Sequence, residues 1–291
     1  MKDLKRITVI GLGLLGGSIV LAVSRIWHRV QITGYTHRRN TRRKAKRLLT
    51  AARIADDINK SVIDADLVIL AAPIGNFEEI FRTIGKALRR GCIVTDVGST
   101  KVQPHQWAAK YLPKSVHYAG SHPIAGSEQR GVEFARDDLF EKALCILTKT
   151  RNTPNEVVQV LRRFWSSLGC CVKLMGPAEH DRVFASISHL PHITAAALIN
   201  ASSAKELKFA GKGFIDTSRI ASGPANIWAD VLATNAKNSV KGIDRIVAEL
   251  EKLKRAIGSA DKKKIKRLLE AARNKRAALI KYKMKREEII S

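Results

Sequence analysis

Short apolar runs recur along the first 175 positions, and longer stretches with apolar residues three and four apart separate them. Residues 7–10, 30–35, 67–71, 92–97, 116–119, 144–148 and 171–175 read as buried strands. Residues 14–27, the segment after Pro73, the segment through Trp107 and residues 157–168 carry helical spacing. Strand, glycine turn, helix and strand in that order open a βαβ unit, and the continued alternation predicts a mostly parallel sheet.

Beyond Gly176-Pro177 the period changes. Residues 178–289 show only helical patterns, broken at 211–213, at Ser222-Gly223-Pro224 and at Gly258. The predicted fold is therefore α/β: a Rossmann-type doubly wound sheet over residues 1–176, followed by an all-helical domain over residues 177–291. The Lys-rich stretch 252–285 keeps Leu253, Ile257, Ile265, Leu268, Leu269, Ala272 and Ile280 at near-helical spacing, which predicts a helix pair with a solvated basic face.

Charge is the unusual part of the composition. Lys and Arg total 52 against 26 acids, a formal charge of +26, and 18 basic but only 7 acidic residues follow Ala236. Such an excess suits nucleic acid, or a field that steers small polyanions into a cleft. Aromatics make up only 5% of residues, and no zinc-finger or RNA-recognition motif is present, so nucleic-acid binding is not expected. No run approaches the roughly 18 apolar residues of a membrane span, and no signal-peptide pattern opens the chain; a cytoplasmic protein is expected. Cys92, Cys145 and Cys171 lie in apolar runs and read as core residues, while adjacent Cys170 and Cys171 are poorly placed for a relaxed disulfide. No C-x-x-C spacing occurs, and no metal site is expected.

The candidate chemistry begins at Gly11-Leu12-Gly13-Leu14-Leu15-Gly16, a G-x-G-x-x-G turn between strand and helix. Its first glycine permits the tight turn, the second lets backbone approach a pyrophosphate, and the third lets the helix pack on the strand. The helix N-terminus then faces the phosphates. An acid at the end of the second strand would bind the ribose 2′-hydroxyl of NAD. Thr36, His37, Arg38 and Arg39 stand there instead, with guanidinium groups suited to a 2′-phosphate, so NADP is favoured over NAD.

Three further segments carry polar groups in defined settings. Asp96-Val97-Gly98-Ser99-Thr100-Lys101 ends a strand at the carboxyl edge of the sheet, where Ser99 or Thr100 either donates to a substrate or caps the next helix. His122 ends the following strand, held between Gly120, Pro123 and Gly126 as a proton acceptor requires. His189-Leu190-Pro191-His192 lies in an apolar helix from about 181 to 200, where a proline-induced kink either aims His192 into the domain cleft or leaves it a buried, hydrogen-bonded structural residue. Arg219, just before Ser222-Gly223-Pro224, offers a bidentate clamp to a carboxylate.

In order along the chain, GLGLLGGS (11–18), DVGSTK (96–101), SHPIAGSE (121–128), HLPH (189–192) and TSRIA (217–221) resemble the motifs of the prephenate and arogenate dehydrogenases of tyrosine biosynthesis. The resemblance implies oxidative decarboxylation of prephenate to 4-hydroxyphenylpyruvate, or of arogenate to tyrosine, with hydride transfer to NAD(P). It implies that His122 accepts the substrate's C4 hydroxyl proton and that Ser99 hydrogen-bonds the same region. His192 and Arg219 would position the substrate, Arg219 on the ring carboxylate, and Glu128 and Asp216 would join a polar network at the cleft mouth. A dianionic small-molecule substrate and a homodimer formed through the helical domain are implied as well. Two features depart from the pattern: the acid after the second strand is missing, and Ser222-Gly223-Pro224-Ala225-Asn226 replaces an acid-then-proline version. The motif set disfavours two rivals, another two-domain NADP-dependent reductase of a small carboxylate and a nucleotide-sensing, nucleic-acid-binding regulator.

Overall fold

The structure, a computed structural model, describes residues 4–126 and 129–284. Six parallel strands form the main sheet: β1 (Arg6–Ile10), β2 (Gln31–Tyr35), β3 (Ala52–Ala55), β4 (Leu67–Leu70), β5 (Ile93–Asp96) and β6 (His117–Tyr118), in spatial order β3-β2-β1-β4-β5-β6. This is the doubly wound order, with its switch point between β1 and β4. Helices α1 (Leu14–Ile26), α2 (Arg39–Leu48), α3 (Ile58–Val62), α4 (Phe77–Ile84) and α5 (Val102–Tyr111) connect the strands. Val9, Leu67, Ile69 and Ile93 pack with Ile19, Val23 and Phe164 in one core; Ile10, Val68, Leu70 and Val94 pack with Phe77 and Phe81 in a second. Both sheet faces are thus covered, which is why these strands are apolar at nearly every position.

A separate three-stranded sheet follows, with β7 (Gly120–Pro123), β8 (Leu144–Thr148) and β9 (Cys171–Met175), and α6 (Asn155–Ser167) joins the last two. β7 runs antiparallel to β8, opposing His122 to Ile146. This corrects the expectation that His122 ends a strand of the parallel sheet: it lies inside β7, just beyond the short β6. Buried hydrogen bonds tie the two sheets, with Ser121 Oγ 2.7 Å from Thr95 Oγ1 and accepting from Trp165 Nε1 at 2.9 Å. The cysteine expectation also needs correcting. Cys92, Cys145 and Cys170 are buried, whereas Cys171, on the edge strand β9, is exposed.

No strand follows Met175 among the described residues. The chain continues as α7 (Pro177–Phe184), a π-helical turn (Ala185–His189), α8 (Leu190–Asn200), α9 (Ala204–Leu207), α10 (Lys212–Ser218), α11 (Ala225–Thr234), α12 (Ala236–Gly258) and α13 (Lys262–Met284). Pro191 sits in the first turn of α8, and the widened turn before it absorbs the hydrogen bond that the proline cannot make. By compactness the chain divides into residues 1–236 and 237–291. In the second unit α12 exposes Val240, Ile243, Val247, Leu250 and Ile257 at alternating spacings of three and four, with one position skipped. Asp261 accepts the Lys264 amide at the start of α13. Among the described residues, no helix is long and apolar enough to cross a membrane.

Candidate active site

All the described candidate residues fall within the unit of residues 1–236; Glu128 lies outside the described residues. Gly11 has φ +101°, and a Cβ there would stand 2.5 Å from the Ala71 carbonyl carbon. A Cβ on Gly16 would stand 1.8 Å from the Gly11 carbonyl oxygen, so this turn tolerates glycine alone. At Gly13 the space is open, with nothing within 4 Å of where a Cβ would be. Gly13 also precedes α1 with no side chain capping the helix. Open backbone beside the uncapped amides of Leu14 and Leu15 fits a pyrophosphate.

Beyond β2, Thr36 is buried and its carbonyl accepts from Arg42 at 3.1 and 3.3 Å. Arg42 also pairs with Asp56 at 3.2 Å and lies over the Tyr35 ring. His37, Arg38 and Arg39 are exposed.

The most organised part of the site is a chain of buried polar groups behind His122. His122 Nδ1 lies 2.9 Å from His180 Nε2, and His180 Nδ1 lies 2.8 Å from Asp181 Oδ1. Asp181 accepts the backbone amides of Lys101 at 2.7 Å and Val102 at 2.8 Å. The capping role open to Ser99 or Thr100 therefore falls to Asp181, at the first turn of α5. Thr100 Oγ1 pairs with Thr234 Oγ1 at 2.9 Å, and Ser99 sits half-buried in the loop beyond β5. Phe184 covers both imidazoles, stacked on His180 at 4.4 Å and tilted on His122 at 4.7 Å.

Burial, reinforced by His180, Lys101 and His189, holds the His122 imidazole well below its ordinary pKa. Burial likewise takes His180 down to about 2 and His189 and His105 to about 4. All four are neutral at pH 7. Beneath them, fully buried Lys101 bonds Asp96, which also accepts from Tyr118 Oη at 2.5 Å and the Gly98 amide at 2.7 Å. Burial pushes the Asp96 carboxyl up against the opposing pull of Lys101.

The two histidines of the HLPH segment part company. His189 Nδ1 faces Asn235 Nδ2 at 3.3 Å, and the same amide donates to the Asp181 carbonyl at 2.7 Å. His192 is buried and stacks on Trp228, with ring centroids 3.7 Å apart and planes within 8°. Its Nδ1 has no hydrogen-bond partner among the described residues. Asp216 and Arg219 are exposed one helical turn apart, at the end of α10 and the start of the short 3₁₀ turn Arg219–Ser222.

His180, Asp181, Tyr118 and Asn235 carry no motif in the sequence, and Lys101 closes the DVGSTK segment without a local sign of its own role. Each looks like an ordinary polar residue near an element end; the one local hint was His180-Asp181 beside the apolar helix that carries HLPH.

Comparison with known proteins matches residues 20–174 to the nucleotide-binding domain of prephenate dehydrogenase and residues 176–271 to its dimerization domain. The cyclohexadienyl dehydrogenase of Zymomonas mobilis is 32% identical over 268 residues, covering 90% of this chain and 91% of that protein. The prephenate dehydrogenase of Bacillus subtilis is 32% identical over 96% of this chain and 76% of its own. Among solved structures, prephenate dehydrogenase from A. aeolicus, in complex with hydroxyphenyl propionate and NAD+, superposes with a TM-score of 0.88 at 30% identity, covering 96% of this chain and 99% of that one. With both halves matched and two relatives 32% identical over 90% and 96% of its length, this chain belongs to the prephenate dehydrogenase family.

Proposed function

We propose that this protein catalyses the oxidative decarboxylation of prephenate or arogenate, with hydride transfer to a nicotinamide dinucleotide. The observation that carries the reading is the neutral His122, backed by His180 and Asp181 and set just past the carboxyl end of the parallel sheet. Bound along the glycine loop, the dinucleotide supplies the hydride acceptor. His122 takes the C4 hydroxyl proton as hydride leaves C4, and Ser99 hydrogen-bonds the same oxygen. The new carbonyl then draws the electrons of the departing ring carboxylate, releasing carbon dioxide and leaving an aromatic ring. Arg219 clamps that carboxylate, His192 offers its unpartnered Nδ1 to the substrate, and Asp216, with Glu128, lines the approach.

In this reading residues 1–176 bind the dinucleotide, and residues 177–291 complete the substrate site and form a homodimer. The apolar stripe on α12 supports the second role. NADP is the proposed cofactor, because Arg38 and Arg39 are exposed beyond β2 while the nearby acid, Asp56, is engaged by Arg42.

Absorbance at 340 nm with prephenate and arogenate crossed against NAD and NADP tests the whole proposal; silence in all four mixtures of folded, cofactor-binding protein overturns it. Replacing both Arg38 and Arg39 by Ala should raise the NADP Michaelis constant roughly 10-fold or more, the scale of a lost charge-assisted hydrogen bond, and leave NAD unaffected. Equal effects on both cofactors would remove the 2′-phosphate role. Arg219→Gln should raise the substrate Michaelis constant by a similar roughly 10-fold factor with little change for the cofactor. An unchanged constant rules out the clamp.

A further inference from the structure

We propose that His180 and Asp181 are positioning residues that fix the tautomer of His122, keeping hydrogen on Nδ1 and leaving Nε2 as the basic lone pair. The inference rests on the reading of His122 as the proton acceptor. It follows from counting donors along one chain of hydrogen bonds.

A backbone amide can only donate. Asp181 receives two of them, from Lys101 on Oδ1 and from Val102 on Oδ2, so both of its oxygens act as acceptors. Burial pushes the Asp181 carboxyl up, and the two amides together with Lys101 oppose it; the amides also open the ten-residue helix α5, whose dipole favours a carboxylate over a carboxylic acid. The remaining bond on Asp181, from His180 Nδ1 at 2.8 Å, must then carry its hydrogen on the imidazole. A neutral imidazole has one N–H, so His180 Nε2 is a bare lone pair. The 2.9 Å contact between that atom and His122 Nδ1 can only be donated by His122. One N–H is thereby assigned to His122, and its Nε2 is left free to take a proton. When it does, the new positive charge lies on a ring linked to the Asp181 carboxylate through His180.

The surroundings hold this order in place. Asn235 Nδ2 donates to the Asp181 backbone carbonyl at 2.7 Å, securing the turn that carries the carboxylate. Phe184 packs against both rings, so neither imidazole can flip without displacing it. The opposite order would put hydrogen on His122 Nε2 and leave no base; it requires a protonated Asp181 beneath two amide donors.

The test uses the full-length enzyme and two substitutions. His180→Phe keeps a ring stacked on Phe184 but removes the acceptor, whereas His180→Gln restores an oxygen that can accept from His122. We expect His180→Phe to lower kcat about 100-fold, as when a general base loses its tautomer, with Michaelis constants for substrate and cofactor within about threefold of wild type. His180→Gln should recover most of that loss. In nitrogen-15 spectra of histidine-labelled protein, the His122 signals, identified by their absence in His122→Asn, should show a protonated Nδ1 and a bare Nε2. In His180→Phe the proton should move to Nε2. A wild-type enzyme with hydrogen on Nε2, or a His180→Phe enzyme of unchanged kcat, overturns the proposal. The spectrum needs no turnover, so it stands even where His180→Phe does not fold. Should His122→Asn keep its activity while the spectrum shows the Nδ1 tautomer, the proton-acceptor reading has failed and the tautomer assignment has not.

Discussion

Replacing His122 by Asn should reduce kcat by about 10²- to 10⁴-fold, the range for loss of a general base, and leave cofactor affinity within about twofold. Asn is short enough for β7 and can still meet His180, but it has no basic lone pair at the position of Nε2. The glycine loop and the loop beyond β2 are untouched, so tryptophan fluorescence titrated with the dinucleotide should report wild-type binding. The pH dependence gives a second reading. The His122 pKa is held well below its ordinary value, first by burial and then by His180, Lys101 and His189. A base with a lowered pKa stays unprotonated further into acid, so the acid limb of kcat/KM should lie below about pH 6.5, the value of an unperturbed imidazole. A His122→Asn enzyme that keeps wild-type kcat, or a wild-type acid limb at or above that value, would remove His122 from the chemistry.

How far the sequence reveals this arrangement depends on how each part is stabilised. The central strands are legible because burial on both faces makes them continuous apolar runs, as in Leu67–Leu70. The helix Arg39–Leu48 and the edge strand Ala52–Ala55 leave little pattern, since the helix buries only Ala45 and the strand only Ala55. Strand β7 is hidden for another reason. Gly-Ser-His-Pro has no apolar alternation, and its place is set by hydrogen bonds that join Ser121 to Thr95 and Trp165, distant in sequence. The same distinction holds in the site. Motifs that carry glycine or proline constraints, such as the dinucleotide loop and the Gly120-to-Gly126 segment that holds His122, advertise themselves locally even where the strand they form does not. The bond between His122 and His180 joins residues 58 positions apart, and the bond from the Lys101 amide to Asp181 spans 80. Such pairings exist only once α7 has packed against the start of α5.

Lys101→Met should destabilise the fold by about 3–5 kcal/mol, the scale for removing one partner of a buried ion pair. Both side chains are fully buried, so the Asp96 carboxylate would lose its cationic partner while keeping Tyr118 Oη and the Gly98 amide. Methionine nearly fills the lysine stem, which confines the loss to charge; the backbone amide at position 101 that Asp181 accepts is retained. The pH dependence of the difference identifies its source. Burial already raises the Asp96 pKa against the lowering pull of Lys101, and the substitution should raise it further. A carboxyl with a raised folded-state pKa binds more protons folded than unfolded, so its penalty is largest above that pKa and shrinks as pH falls through it. Urea unfolding of variant and wild type should therefore diverge most at an alkaline pH and converge at an acid pH. Adding Asp96→Asn to Lys101→Met should recover much of the loss at the alkaline end, because an amide can accept from Tyr118 without carrying charge. A single variant equally destabilised at both pH values, with no recovery in the double, would assign the loss to packing. Removing Lys101 also weakens one of the influences that depress the His122 pKa, so the surviving activity should show an acid limb moved towards neutral pH. The same lysine would then set both the stability of the sheet edge and the working range of the base above it.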